Sequence, residues 1–548
     1  MVRIQSRFLI PLATLFLTLL LVEIIFGQTN QTQPNHVHKF YPDDPITAEP
    51  KPVPVGDIAS VDIYSLYDYL YQTMQAGRQT STLAKNINTL GEVPDNAWFT
   101  NRHGVKRMTE QELRRGSGNE NTPQPPFLIV GAKIDGITPG FRMRDAAGRL
   151  YFVKIDPPTN PELISAADIM GSKFFHAIGY NTPENYIVRL QRSDWSIDPK
   201  AKVSLPSNLS RRMSEKDMHE ILDQAARERD GSVRIIASLG IPGKGIGPFR
   251  YRGTRSDDPN DLVPHEDRRE LRGLYVFCAW LNHTDAKASN SYNALVTENG
   301  VPFVKHYLID FGSAFGSDGD RAKDARFGYD YQIPLEPGTA FRQLRTLGFS
   351  SLDWEKAHYL NLKTAGRIES TVFDPEQWTP NYPNPAFLHR QSADEYWAAK
   401  IVMSFTDDDI RALVETGQYS DSRTVDYLAS TLAERRDKIG RTYLSKVLPL
   451  ENFEVSNGRL IFEDLAVRYG FRQAQEYQIS WAIFDNHNGT SSPIAGAGSF
   501  ALPKEFASLP EGSYISTVIN TLAEAEKNVV VYLRKKGLTA EVAGIERN

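Results

Sequence analysis

Two stretches decide the reading of this chain: His283-Thr284-Asp285-Ala286-Lys287-Ala288-Ser289-Asn290 and Leu308-Ile309-Asp310-Phe311-Gly312. The first puts an aspartate, a lysine and an asparagine in one short loop, and the second sets another aspartate before an aromatic residue and a glycine. An aspartate can take a proton from an attacking hydroxyl, and a lysine can neutralise developing negative charge. An aspartate with an asparagine supplies the oxygen ligands that a hard divalent cation prefers. A D-F-G tripeptide arises easily by chance. The two stretches in this order, about one hairpin apart, carry far more weight. Between them Tyr292 to Val296, the turn Glu298-Asn299-Gly300, and Val304 to Ile309 read as the hairpin that delivers Asp310.

Working upstream, Glu266 to Asn282 has the periodicity of an amphipathic helix running straight into the His283 loop. Earlier still the chain is strand-rich. Phe127 to Lys133, Phe141 to Arg144 and Leu150 to Ile155 read as three strands, with a Gly-bearing loop at Asp135 to Gly140 and a turn at Asp145 to Gly148. Asn160-Pro161-Glu162 reads as a helix start, with Asn as N-cap, Pro in the first turn and an acid at the positive end of the dipole. That helix is expected to run to about Ile178, where Gly179 stops it, and Asn185 to Leu190 follows as a strand. Ser214 to Asp230 reads as a polar helix within an insertion. Gly243-Lys244-Gly245-Ile246-Gly247 has the look of a phosphate loop, but Pro242 and Pro248 flank it and no helix follows, so a turn is expected.

Over roughly residues 125 to 445 these elements and motifs resemble the protein-kinase-like superfamily. The likeness is greater to its atypical branches (HipA-type, phosphatidylinositol-kinase-like and CotH-type kinases). The resemblance implies an α+β, bilobal kinase-like fold and a site for ATP and Mg²⁺. It places Lys154 against the α/β-phosphates and pairs it with an acid on the following helix. Asp168 and Glu162 are the two candidates. Glu162 already has a role at the helix dipole, whereas a mid-helix aspartate needs a reason, which favours Asp168. Lys133, Gly136 and Gly140 stand where the nucleotide-covering loop belongs, although G-x-G-x-x-G is missing; a simple hairpin loop is the competing reading. Asp285 takes the position of the catalytic base and Lys287 that of the residue steadying the transferred phosphoryl. Asn290 and Asp310 take those of the metal ligands. Thr284 replaces the usual arginine, so control through that arginine and an activation-loop phosphate is not expected. After Gly312 the resemblance thins: no A-P-E closes the segment, and the charges from Asp318 to Arg326 read as a solvated loop.

The rest of the 548 residues frames this unit. Arg3 and Arg7 precede an apolar run from Phe8 to Gly27, read as a signal peptide or an N-terminal anchor (1–27); Pro11 and Glu23 favour cleavage. Either reading makes the protein extracytoplasmic, with membrane attachment if the segment stays. Residues 28–56 read as a linker and 57–125 as a helical extension. The kinase-like domain spans 126–447, with a small lobe at about 126–245 and a large lobe at about 262–447. Residues 448–548 read as a β-rich C-terminal domain, in which Trp481 and Tyr477 read as core. The single Cys278 excludes an intrachain disulfide and reads as a small buried hydrophobe. A net charge of −5 without a basic run argues against nucleic acid as a partner. H-E-x-x-H and G-x-S-x-G are absent, so zinc-protease and nucleophile-elbow chemistry have no support. The expected function is an exported phosphotransferase using Mg-ATP on a protein, sugar or lipid acceptor. The alternatives are a pseudokinase serving as a binding module, or a nucleotidyl (AMP) transferase using the same site. The joint presence of Lys154, Asp285, Asn290 and Asp310 argues against decay.

Overall fold

The computed structural model describes residues 39–75, 82–133, 140–205, 209–331 and 353–548. The expected signal or anchor, Gly136 and the side chain of Lys133 lie outside the described residues. Among the described residues of 57–125 the expected helical extension is mostly irregular, with helices at α1 (Ser65–Gln75) and α2 (Glu110–Arg115). Asn and Asp side chains compete for the backbone there. Asn88 Oδ1 accepts the amides of Leu90 and Glu92 at 3.0 and 2.8 Å, and Asn96 Oδ1 those of Trp98 and Phe99 at 2.7 and 2.9 Å.

Next come β1 (Phe127–Lys133), β2 (Gly140–Arg144), β3 (Leu150–Ile155), helix α3 (Leu163–Ile178) and β4 (Asn185–Leu190). β5 (Trp195–Leu205), β6 (Leu209–Arg212) and β7 (Val233–Leu239) complete one seven-stranded sheet. Its order is β4-β7-β3-β2-β1-β5-β6, antiparallel except where β1 runs parallel to β5. On β3 the alternation buries Tyr151, Val153 and Ile155 in a core shared with Phe127, Met143 and Ile235, and this turns Lys154 to the other face.

Asn160 does not cap α3. Glu162 is the residue before the helix, in the left-handed region at φ 69°. The first amides are taken instead by Asp156, whose Oδ1 accepts from Ile164 and Ser165 at 2.8 and 2.9 Å. A capping acid eight positions upstream escapes a local reading of the sequence. Gly179 closes the helix at φ 145°, as its position suggests.

The short β8 (Lys244–Gly245) pairs with the hairpin formed by β9 (Ser291–Glu298) and β10 (Val301–Leu308). Asn299 and Gly300, both at positive φ, make the tight turn between them. Between β8 and β9 runs α4 (Arg269–Leu281), which is buried all round rather than amphipathic. Its charged residues go inward because each finds a partner: Arg269 reaches Asp394 at 2.9 Å and Arg272 reaches Asp267 at 2.7 Å. Helices α5 (Ser392–Met403) and α6 (Ser422–Leu444) pack on α4, and Trp280 Nε1 donates to Leu432 O at 2.9 Å.

The C-terminal region is β-rich. β11 (Leu450–Ser456) and β12 (Arg459–Asp464) form a hairpin. β13 (Tyr477–Asp485), β14 (Thr490–Pro493), β15 (Tyr514–Thr521), β16 (Val529–Lys536) and β17 (Thr539–Arg547) form an antiparallel sheet over a core of their own. Trp481 is buried there, donating Nε1 to Ser499 O at 2.9 Å, and the Tyr477 hydroxyl bonds Asp464.

The chain before α1 straps these parts together. Phe40 is buried among Phe484, Tyr514 and Tyr532 of the C-terminal sheet, and its amide donates to Asn486 Oδ1 at 2.7 Å. The strap then bonds β10 (Val55 N–H to Pro302 O, 2.8 Å) and the β8 region (Val61 N–H to Ile246 O, 3.0 Å). Among the described residues, no helix is long and apolar enough to cross a membrane.

Candidate active site

The Lys154 ammonium donates to Asp168 Oδ2 and to Asp310 Oδ1, both at 2.8 Å. β3 supplies the lysine, α3 the buried Asp168, and the segment after β10 supplies Asp310. The structure therefore gives Lys154 to Asp168 and not to Glu162, whose carboxylate accepts the amide of Ser420 at 3.0 Å. Gly140 is the direct cross-strand partner of Lys154. A Cβ on Gly140 would lie 2.5 Å from Val153 O, so only glycine lets β2 approach β3 so closely here.

Asp310 sits in the left-handed region at φ 62°. Phe311 is fully buried, stacked on Phe175 with centroids 5.1 Å apart, and lies 5.9 Å from the ring of His283. The Phe311 amide also hydrogen-bonds Asp168. The aromatic of the D-F-G triplet thus anchors in the core while the aspartate before it turns outward, half-exposed.

In the other loop, Asn290 Nδ2 donates to Asp285 O and to Asp285 Oδ2, both at 2.9 Å. Lys287 Nζ lies 3.0 Å from Asp285 Oδ1. The Ile309 amide donates to Asn290 O at 3.1 Å, which sets the Asp310 segment beside the Asn290 loop. All the sequence-predicted site residues that are described in full therefore come together around two adjoining loops.

The electrostatics follow from these pairs. Burial opposes the charge on Lys154, but the two carboxylates outweigh it and hold the ammonium well above its ordinary range. Lys154 in turn holds Asp310 below the usual carboxylate value. Burial opposes the charge on Lys287 too, and Asp285 outweighs it. His283 is pushed down to about 3 by burial, with Lys323 adding to the shift, so it is a neutral core residue.

Lys323 belongs to the charge run expected to be a solvated loop, and the structure corrects this for it. It is buried, and its Nζ donates to Asn282 O at 3.1 Å and to Ser313 O, stitching the ends of the two loops together. Burial pushes it down to about 7. Nothing in the spacing of the charged residues marked Lys323 out from its neighbours.

Gly243 to Gly247 shows no phosphate-loop geometry. Lys244 reaches Asp57 at 3.2 Å, and Gly247 packs so tightly on the strap that a Cβ would lie 1.8 Å from Val61 O. Cys278 is buried and its thiol is pushed well up by burial, as suits an inert core residue. A cavity of 540 Å³ near Arg102, Arg107, Lys400 and Glu451 lies elsewhere. There Arg107 pairs with Asp409 at 2.9 Å and Lys400 with Glu451 at 2.8 Å, while Arg102 donates to His176 O and Tyr180 O.

Among the described residues no cluster of three or more His, Cys, Asp or Glu could hold a metal. The donor set here is one carboxylate, Asp310, and one amide oxygen, Asn290. It fits Mg²⁺, which takes few protein ligands and fills its shell from phosphate and water. Asp310 bonds Lys154 through Oδ1 only, and Asn290 uses its Nδ2 on Asp285, so an oxygen of each is left to face a cation.

No family model matches the chain, and no curated protein matches it. Among solved structures it is similar to the Helicobacter pylori proinflammatory kinase CtkA, at 12% identity and a TM-score of 0.30, over 56% of this chain and 94% of that one. It is also similar to the Golgi casein kinase, at 12% identity and a TM-score of 0.30, over 72% of this chain and 96% of that one. The Golgi casein kinase with Mn/ADP bound gives 14% identity and a TM-score of 0.29, over 72% and 93% of the two chains.

Proposed function

We propose that the chain is a bilobal, kinase-like phosphotransferase that draws on Mg-ATP and acts outside the cytoplasmic membrane. The observation that carries this reading is the pair of 2.8 Å bonds joining Lys154 to Asp168 and Asp310, with Asp285 and Asn290 on the adjoining loop. A lysine fixed by a buried acid has its ammonium preset for phosphate oxygens, so little reorganisation is needed when a nucleotide arrives. Asp285 is placed to orient an acceptor hydroxyl and hold its proton. Lys287 is the nearest cation to that carboxylate and is suited to steady the phosphoryl group as it moves. Asp310 and Asn290 would hold Mg²⁺, which when bound neutralises charge on the phosphates. The N-terminal apolar run supports export, and the acceptor proposed is a hydroxyl on a protein, sugar or lipid.

Turnover tests the reading. The full chain, given Mg²⁺ and γ-labelled ATP, should release or transfer the label, and Asp285→Asn should slow this by about 10²-fold or more. Turnover that survives Asp285→Asn would contradict phosphoryl transfer to a hydroxyl. Release of pyrophosphate instead would favour nucleotidyl transfer from the same site.

A further inference from the structure

The surroundings of Lys287 are built from parts far apart in sequence. The Lys287 ammonium has Asp285 Oδ1 at 3.0 Å and the ring of Tyr382 at 5.3 Å from its centroid. That distance is within cation–π range. The Tyr382 segment is tied to the loop through its backbone. The Asn381 amide donates to Thr284 O at 2.7 Å, and Asn384 Nδ2 donates to Ala286 O at 3.2 Å. The Tyr382 ring is propped edge-on by Tyr69 of α1, with centroids 5.1 Å apart and planes at 75°.

Tyr69 is buried, and its hydroxyl has no hydrogen-bond partner among the described residues. Its fit here is that of a ring against a ring. α1 is held in turn by Arg252, whose guanidinium lies 3.7 Å from the centroid of Tyr71 and 3.7 Å from Asp68 Oδ1.

We infer that Tyr382 and, behind it, Tyr69 are positioning residues for Lys287, so that helix α1 completes the catalytic loop. In this structure both oxygens of Asp285 are engaged, one by Lys287 and the other by Asn290 Nδ2. Each oxygen keeps a further lone pair, so Asp285 can accept a proton while these bonds hold it in place, but the Lys287 ammonium must shift from Asp285 to meet a phosphoryl group. The face of Tyr382 gives the ammonium a second resting place, so it can make that shift without swinging into water. The inference rests on the phosphotransferase reading for its catalytic consequence, but the position of Lys287 can be measured without it.

The test uses the full chain and two readouts. The first is the rate at which an acylating reagent modifies Lys287, followed by mass spectrometry and normalised to the exposed Lys216. Tyr382→Leu and Tyr69→Ala should raise that rate about fivefold, and Tyr382→Phe, which keeps the ring, should leave it unchanged. The second is Mg-ATP turnover, where the same two variants should lower kcat about tenfold with KM for ATP unchanged. Should Tyr69→Ala not fold, the Leu and Phe variants of Tyr382 decide alone. Equal acylation in wild type and Tyr382→Leu would overturn the inference, as would equal effects of Leu and Phe. A wild type that turns over no ATP but shows the acylation pattern would contradict the phosphotransferase reading and leave the positioning role standing.

Discussion

Lys154 and Asp168 face each other at 2.8 Å across the junction of β3 and α3, and the same ammonium reaches Asp310 at the same distance. A lysine that bridges an acid on the sheet-packed helix and an acid on the D-F-G segment couples the positions of all three. Asp168→Asn removes the buried negative charge and leaves Asp310 as the carboxylate that balances Lys154. Affinity for Mg-ATP should fall by about 10- to 100-fold, as for loss of other groups that orient a site. Glu162→Gln should stay within about twofold of wild type, because Glu162 contacts Ser420 and not the site. Titration calorimetry on the two variants compares them directly; equal losses would refute the assignment of Asp168.

Phe311 depends on the absence of a side chain at Gly171. A Cβ there would stand 2.4 Å from the Cβ of Phe311, inside a helix that is buried along almost its whole length. Gly171→Ala should cost about 1–3 kcal/mol by overpacking and should displace the D-F-G segment with it. Denaturant unfolding reads the first effect, and weakened ATP binding reads the second. A stable variant with unchanged binding would show that Phe311 does not set the orientation of Asp310.

Lys323 gives the chain a pH signature. Its ordinary value of 10.5 falls to about 7 in the folded protein because of burial, with Asp318 and Asp285 working against the shift. Between pH 7 and 10.5 the unfolded chain holds this proton and the folded chain does not, so the contribution of Lys323 to stability increases as pH rises through that window. Below pH 7 both states carry the proton and the contribution is flat. In thermal melts the wild type should gain stability relative to Lys323→Met between pH 7 and 10, and parallel curves would contradict the shift.

Phe40 pins the strap to the C-terminal sheet, with its ring among Phe484, Tyr514 and Tyr532 and its amide on Asn486. Phe40→Ala should cost about 3–5 kcal/mol of local anchoring. Limited proteolysis should then cut within residues 39–60 faster than in wild type, while the C-terminal sheet, which has its own core, stays resistant. Unchanged cleavage would mean that the strap is held mainly by its bonds to Pro302 and Ile246.

What the sequence made legible follows from how local each signal is. The β9–β10 hairpin and its Asn299-Gly300 turn, and the stop of α3 at Gly179, rest on neighbours a few residues apart, and they appear where the pattern places them. The helix after β3 offers two acids for Lys154, and the poor local fit of a mid-helix aspartate favours Asp168; the geometry bears this out. Long-range features left no local trace. Asp156 caps α3 from β3's end, Lys323 is buried within a run of charges, and α4 can bury Arg269 because its acid, Asp394, comes from a helix more than a hundred residues on. In the 57–125 segment two local signals compete: apolar spacing favours helices, while Asn88 and Asn96 bind backbone amides in turns.

The most direct test of the account is calorimetric titration of the full chain with ATP, with and without Mg²⁺, for wild type and Asp310→Ala. The account predicts binding by the wild type that strengthens at least about tenfold with Mg²⁺, and loss of that strengthening in Asp310→Ala. ATP binding indifferent to Mg²⁺ in both proteins, or no binding by the wild type, would contradict it.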